Sequence, residues 1–290
     1  MKVAILTDTN SGINEDQGKE LGAYVLNMPI FIDGVSYYQD ADLTDFKICK
    51  ILEEGRKVTT SQPSMGQLID KLEFIFKEGF EEIVYIPMSS SLSGSCNSAA
   101  IIANDYDGRV HVVDNHRISV TQKASVIKAL KMAKKKIRGK EIASYLEKDA
   151  CNSSIYLTVS DLDFLERGGR ITSSAAKVAS VLNIRPLLTI QGKKIDSFRK
   201  VRGSIYRTQI KMIDAIKTDI EKRFNRDGLK SLNIGVVGFG ISKDQEKDWL
   251  KIAREEFPEV EVYYDPLPIS IGIHTGPGAF GIGVSADYED

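Results

Sequence analysis

The sequence predicts an α/β protein of two domains: a mostly parallel sheet with helices on both faces, then a mixed α/β unit. Three observations carry that prediction. Apolar strand-like runs alternate with helical stretches through about the first 150 residues, the order that builds a parallel sheet covered on both faces. Past that point two extended runs flank Gln191-Gly192-Lys193, which reads as a hairpin and therefore an antiparallel element. The length, 290 residues, suffices for two cores of ordinary size. The expected division is residues 1–152 and 153–290.

Residues 3–9 are an apolar run closing on polar turn residues, as a buried strand does. Residues 14–21 read as a short helix, and 24–32 as one extended segment ended by Asp33-Gly34. Helical spacing returns over 44–52, with Thr44 as cap, and over 64–77, where Leu68, Ile69, Leu72, Ile75 and Phe76 share a side. A strand at 83–87, a serine turn, a helix at 96–104, a strand at 110–114 and a long helix at 119–137 complete the first unit. The second begins with a strand at 155–160 and a helix at 172–182. The hairpin strands 187–190 and 194–198 follow, then a helix at 204–224, a strand at 232–238 and a helix at 244–257. Strands at 260–264 and 281–285 end the chain.

Charge is balanced, 39 Lys+Arg against 40 Asp+Glu, so no global attraction to nucleic acid is expected. The basic run at 131–136 fits the solvated face of a helix. Cys49, Cys96 and Cys151 are odd in number and share no CxxC spacing, which indicates neither a disulfide framework nor a zinc site. Only four apolar residues, Val3 to Leu6, stand together at the start, against the roughly 7–15 of a signal peptide. No run approaches the roughly 20 apolar residues of a membrane span. The expectation is a cytoplasmic protein with reduced thiols.

Two hydroxyl-rich turns carry the chemistry. Ser89-Ser90-Ser91-Leu92-Ser93-Gly94-Ser95 lies between a strand and a helix, and Thr59-Thr60-Ser61-Gln62-Pro63-Ser64 precedes another helix. Hydroxyls and unpaired amides at a helix N-terminus suit an anion. They equally suit plain helix caps, so Ser93 and Ser95 admit both readings. Two such turns at the carboxyl edge of a parallel sheet favour a ligand site, because open α/β sheets bind there. His274 stands in His274-Thr275-Gly276-Pro277-Gly278-Ala279-Phe280-Gly281, which matches a dinucleotide fingerprint in letters only. That fingerprint must open a βαβ unit, and only nine residues follow Gly281. The loop lets backbone approach a ligand, or makes a tight turn before the last strand. No G-x-x-x-x-G-K-[ST], H-E-x-x-H or G-x-S-x-G occurs, which speaks against P-loop kinases, zinc proteases and α/β-hydrolases. His111 and His116 flank a strand and read as structural or surface groups.

Five segments, in order, resemble the DegV family, the fatty-acid-binding FakB-type subunits of bacterial fatty acid kinase. They are Thr60-Ser61-Gln62-Pro63-Ser64, Ser91-Leu92-Ser93-Gly94, Leu165-Glu166-Arg167-Gly168-Gly169-Arg170-Ile171, Lys200-Val201-Arg202-Gly203, and His274-Thr275-Gly276-Pro277-Gly278. One departure lies near the start, where the family reads Asp-Ser-Thr-x-Asp and this chain has Asp8-Thr9-Asn10-Ser11-Gly12. The resemblance implies a binding subunit and no enzyme, with a long-chain fatty acid between two domains and no further cofactor or metal. Thr60 and Ser93 would hydrogen-bond the carboxylate, Ser61 would stand near, and His274 would close the site. It also implies a separate kinase subunit that makes an acyl phosphate with ATP for phospholipid synthesis, and passing contact with a membrane surface. Arg170 and Arg202, beside glycines in turns expected to be exposed, would face that partner. Pairing of an arginine with a neighbouring acid such as Glu166 is the plain alternative. The rival function is a stand-alone phosphotransferase or hydrolase using His274 and Ser93, which would need an acid to orient His274 and an oxyanion hole.

Overall fold

A computed structural model describes residues 2–39, 43–176, 184–224 and 232–288. The first half opens with β1 (Val3–Asp8), α1 (Glu15–Leu21), β2 (Tyr24–Leu26), β3 (Ile30–Ile32) and β4 (Val35–Tyr37). It continues through α2 (Asp45–Glu53), β5 (Val58–Thr60), α3 (Met65–Lys77), β6 (Glu82–Ile86) and α4 (Ser95–Ala103). β7 (Val110–Val112), α5 (Ser119–Lys134) and α6 (Gly139–Lys148) close it. Strands β2-β1-β6-β7 form a parallel sheet. β1 is apolar on both faces. Val3 and Ile5 join a core with Val126, Ala129 and Ile142, while Ala4 and Leu6 join another with Leu68, Leu72 and Ile102. Burial on both faces is what a parallel strand between two helix layers requires.

The second half contains β8 (Ser153–Thr158), α7 (Asp163–Gly168), α8 (Ser173–Ala176), β9 (Ile184–Ile190) and β10 (Asp196–Arg202). α9 (Ile205–Arg223), β11 (Leu232–Phe239), α10 (Lys243–Glu256), β12 (Val262–Pro266), α11 (Ile269–Thr275) and β13 (Ala279–Ala286) follow. They build a six-stranded sheet, β10-β9-β8-β13-β11-β12, antiparallel except for the β11–β12 pair. α9 and α10 cover one face through Met212, Ile216 and Trp249. The other face, with Leu157, Leu188 and Val237, shares a core with Ile30, Ile48 and Val120 of the first half. The α/β class with one parallel and one mixed sheet is as the sequence indicates.

Several expectations need correction. The segment 24–32 is two strands, because β2 joins the parallel sheet while β3 turns away to pair with β4 and β5 in a separate three-stranded sheet. That small sheet was not expected. α6, α7 and α11 were not expected either. α7 and α11 have six and seven residues, too few for a helical period to show. Of the expected helix at 172–182, the described part is Ser173–Ala176, and 177–183 lie outside the described residues. The Thr44 cap is as read, its Oγ1 accepting from Lys47 N, while Ser64, expected inside its helix, is the N-cap in a reciprocal capping box with Gln67.

Before β8, Asp149 is buried between two cations. It accepts from Arg117 Nη2 at 2.9 Å and pairs with Lys128 Nζ. Burial and the neighbouring Arg117 push the Lys128 ammonium down to about 8. Cys49 and Cys96 are buried thiols and Cys151 is exposed. No described helix is long and apolar enough to cross a membrane.

Candidate functional site

The site lies in the core shared by the two halves. β13 carries Phe280, Ile282 and Val284 on the face packed against α9 and α10, and Ala279, Gly281 and Gly283 on the other. Period-two alternation of large and small residues thus cuts a trough into one side of the sheet. Leu157 and Ile155 of β8, Ile190 of β9 and Val237 of β11 border it, and Ile118 and Val120 at the start of α5 line it as well. Along β13 the lining runs from Ala279 to Gly283, about 13 Å of strand. The cavity has a volume of about 90 Å³.

Polar groups gather where α11 meets the two hydroxyl turns. Thr60 ends β5, which pairs Ile30 with Thr60, and its Oγ1 lies 2.7 Å from His274 Nε2. His274 sits near the end of α11, one turn beyond Ser270, so both side chains line the cavity from one helix face. Burial, then the charge of Arg170, pushes the imidazole down to about 4. It is therefore neutral at pH 7. Ser61 lines the same end, its amide donating to Pro29 O at 3.1 Å. Ser93 joins them; its Oγ is 2.9 Å from Ser95 Oγ and accepts from Ser95 N at 3.2 Å. The helix cap position itself is Gly94, without a side-chain cap. Gln62 ties the first turn to α4 by donating to Ser98 Oγ at 2.9 Å, and a Cβ at Gly94 would meet its Oε1.

Arg170 departs from expectation. It is half-buried and lines the cavity, with Nε donating to Leu92 O at 3.3 Å and Nη1 to Gly168 O. The exposed turn expected of it is not its setting, and its partners are carbonyls, not Glu166. The reason is α7, which ends at Gly168 and Gly169 and turns the chain inward against the serine turn. Arg202 is exposed, at the end of β10.

The sequence reading left the first loop without a role, and the structure supplies one. Asp8 is buried and accepts from Asn10 N, Met88 N and Gln122 Nε2. Burial pushes its carboxyl up despite these bonds. The loop thereby stitches β1, the β6–α4 connection and α5. It also delivers Asn10 to the cavity, where Oδ1 accepts from Ser270 Oγ at 2.7 Å and buried Nδ2 has no hydrogen-bond partner. Asn10 was missed because the chain departs from the family pattern over residues 8–12, and Ser270 because it stands in no motif. Gly276 and Gly278 serve the backbone: both are left-handed, and a Cβ would strike Phe164 or Ser160. They follow a helix and precede a strand, the reverse of a dinucleotide loop.

Chemically the arrangement can seat an anionic head against neutral donors and a long apolar tail along the trough. It is poorly built for hydrolysis. Among the described residues no hydrogen bond joins Ser93 to His274, and the charged neighbour of His274 is a cation where a triad needs a carboxylate. No described cluster of three or more His, Cys, Asp or Glu could hold a metal ion.

Comparison with known proteins agrees with this architecture. A DegV domain-containing protein of Listeria innocua is 31% identical over 286 residues, covering 97% of each chain. A fatty-acid-binding DegV family protein from Thermus thermophilus superimposes with a TM-score of 0.86 at 25% identity, covering 99% of this chain and 100% of that one. A stearic acid-binding protein from Eubacterium ventriosum shares the fold with a TM-score of 0.84 at 21% identity, covering 99% of both. The family model described as "Uncharacterised protein, DegV family" matches residues 2–287, and with it the chain belongs to the DegV family.

Proposed function

We propose that this protein binds one long-chain fatty acid, with its carboxylate at Thr60, Ser61, Ser93 and His274 and its tail along β13, between residues 1–152 and 153–290. The carrying observation is a cluster of hydroxyl and imidazole donors, with the Arg170 guanidinium beside them, at one end of an apolar trough. The resemblance to the Thermus thermophilus fatty-acid-binding protein supports it. About fifteen methylenes leaving water contribute roughly 12 kcal/mol gross at about 0.8 kcal/mol each, before the cost of association. A carboxylate in that setting costs several kcal/mol unless hydrogen-bonded. Each hydrogen bond to it returns about 1.5–3 kcal/mol, so two or three donors balance the loss. With the imidazole proton on Nε2, His274 donates to Thr60 Oγ1 and leaves the threonine hydroxyl free to donate to the acid.

Neutral donors hold a carboxylate without quenching it as a nucleophile, and Arg170 nearby already spends Nε and Nη1 on Leu92 O and Gly168 O. That suits presentation to a second protein. We place here the binding subunit of a fatty acid kinase, whose separate kinase subunit would phosphorylate the carboxylate with ATP, the acyl phosphate then serving phospholipid synthesis. Arg202 would face the partner from an exposed strand that also carries Arg199 and Lys200. Arg170 belongs to the head-group end on this reading. Mass spectrometry of the denatured protein, purified from cells, should release an acyl chain in about one-to-one ratio. Absence of any acyl chain, with no uptake of added oleate or palmitate, refutes the binding reading.

A further inference from the structure

We infer that Val120, seated in a notch made by two paired glycines, closes the far end of the trough and sets the longest acyl chain the protein accepts. This rests on the fatty-acid reading above. Gly235 of β11 and Gly283 of β13 stand directly opposite each other in the antiparallel register. A Cβ at Gly283 would lie 2.6 Å from Val120 Cγ2, and one at Gly235 2.7 Å from Val120 Cγ1. Carbon atoms in ordinary contact keep about 3.5–4.0 Å. Neither glycine has positive φ, so the backbone conformation does not call for glycine there. The space does. Two neighbouring strands lack a side chain at the one place where a valine of α5 enters.

The position of the notch makes it an end wall. The donor His274 lies five residues before Ala279, across the short turn at 276–278 that joins α11 to β13, so the head-group end is the Ala279 end of the strand. Gly283 is four residues further along β13, beside Ile155 and, through it, Ile190. The next residue on the same strand face, Ser285, does not line the cavity, and Val120 is 3% exposed. The chain is also forced to put Val120 there. Ser119 has φ +54, a left-handed conformation that residues with a Cβ adopt at a cost, and the turn directs both Ile118 and Val120 at the trough.

An end wall is a ruler. Each methylene that finds an apolar seat raises affinity about four-fold, and one that meets Val120 gains nothing. The test measures affinities of wild type, Val120→Ala and Val120→Ile for saturated acids from laurate to arachidate, below each protein's melting temperature. Val120→Ala should move the preferred length up by one or two methylenes, favouring the longer acid by roughly four- to sixteen-fold. Val120→Ile adds a methylene that the filled notch cannot take, so the preferred length should fall. The readout is the profile across lengths, which a general loss of stability does not shift. Wild type binding these acids with the same preferred length in all three proteins overturns the inference alone. Wild type binding none overturns the fatty-acid reading and this inference with it.

Discussion

At the scale of single residues, the proposed head-group site rests on the hydrogen bond between Thr60 Oγ1 and His274 Nε2, 2.7 Å long. Replacing either should cost the bound acid about 1.5–3 kcal/mol, a loss of about ten- to a hundred-fold in affinity. Thr60→Val and His274→Gln, measured by titration with palmitate, should both fall in that range with melting temperatures close to wild type. Ser93 is the contrasting case, because its oxygen already accepts from Ser95 N. Ser93→Ala should lower affinity and also cost about 1 kcal/mol of stability, the net worth of a typical intramolecular hydrogen bond. His274 further predicts a pH dependence. Its folded-state value is lowered to about 4 from an ordinary 6.5, so the unfolded chain takes up a proton between those limits before the folded one does. Stability should decline as pH falls from about 6.5 to about 4 and gain no further loss from this group below that. Melting curves of His274→Gln should lack that component.

Among the elements, β13 shapes the cavity and α11 arms it. Gly281 lies midway along the trough, with Trp249 Nε1 holding its carbonyl from behind at 3.0 Å. A Cβ there would meet Val237 Cγ2 at 2.9 Å, so any larger side chain must fill the channel. Gly281→Val should therefore abolish uptake of palmitate, by more than ten-fold in affinity, while octanoate is still bound. Equal loss for both acids would point to a collapsed sheet instead. How legible these elements were depended on their length and pattern. The strands and long helices of both sheets showed in the sequence because apolar periodicity over many residues is a strong signal. α11 did not show, since Ile269, Ile271 and Ile273 alternate as a strand would, although Ser270 and His274 actually act as i and i+4 partners on a helix. The trough was equally hidden. Gly281 and Gly283 fall in the strand expected at 281–285, but only the register of β8, β13 and β11 turns them into a channel floor. The hydroxyl turns and His274 were legible as motifs, whereas Asn10 was not, its placement depending on the network around Asp8.

For the whole molecule, the account joins two α/β halves around one apolar layer, with chemistry kept at its edge. Arg202, exposed on an edge strand, belongs to this scale because its proposed task is recognition of another protein. Arg202→Ala should leave palmitate affinity near wild type while slowing acyl phosphate formation with a fatty acid kinase subunit at limiting protein. Arg170→Ala should instead weaken the acid itself, since its guanidinium ties Gly168 to Leu92 at the cavity. The central claim is that a fatty acid carboxylate sits against Thr60 and His274, and NMR of palmitate labelled with carbon-13 at the carboxyl tests it most directly. The account predicts one bound carboxyl resonance, distinct from the free acid and saturating at one equivalent, that moves in both Thr60→Val and His274→Gln. A spectrum showing only free acid, or a bound resonance that neither substitution moves, would contradict it.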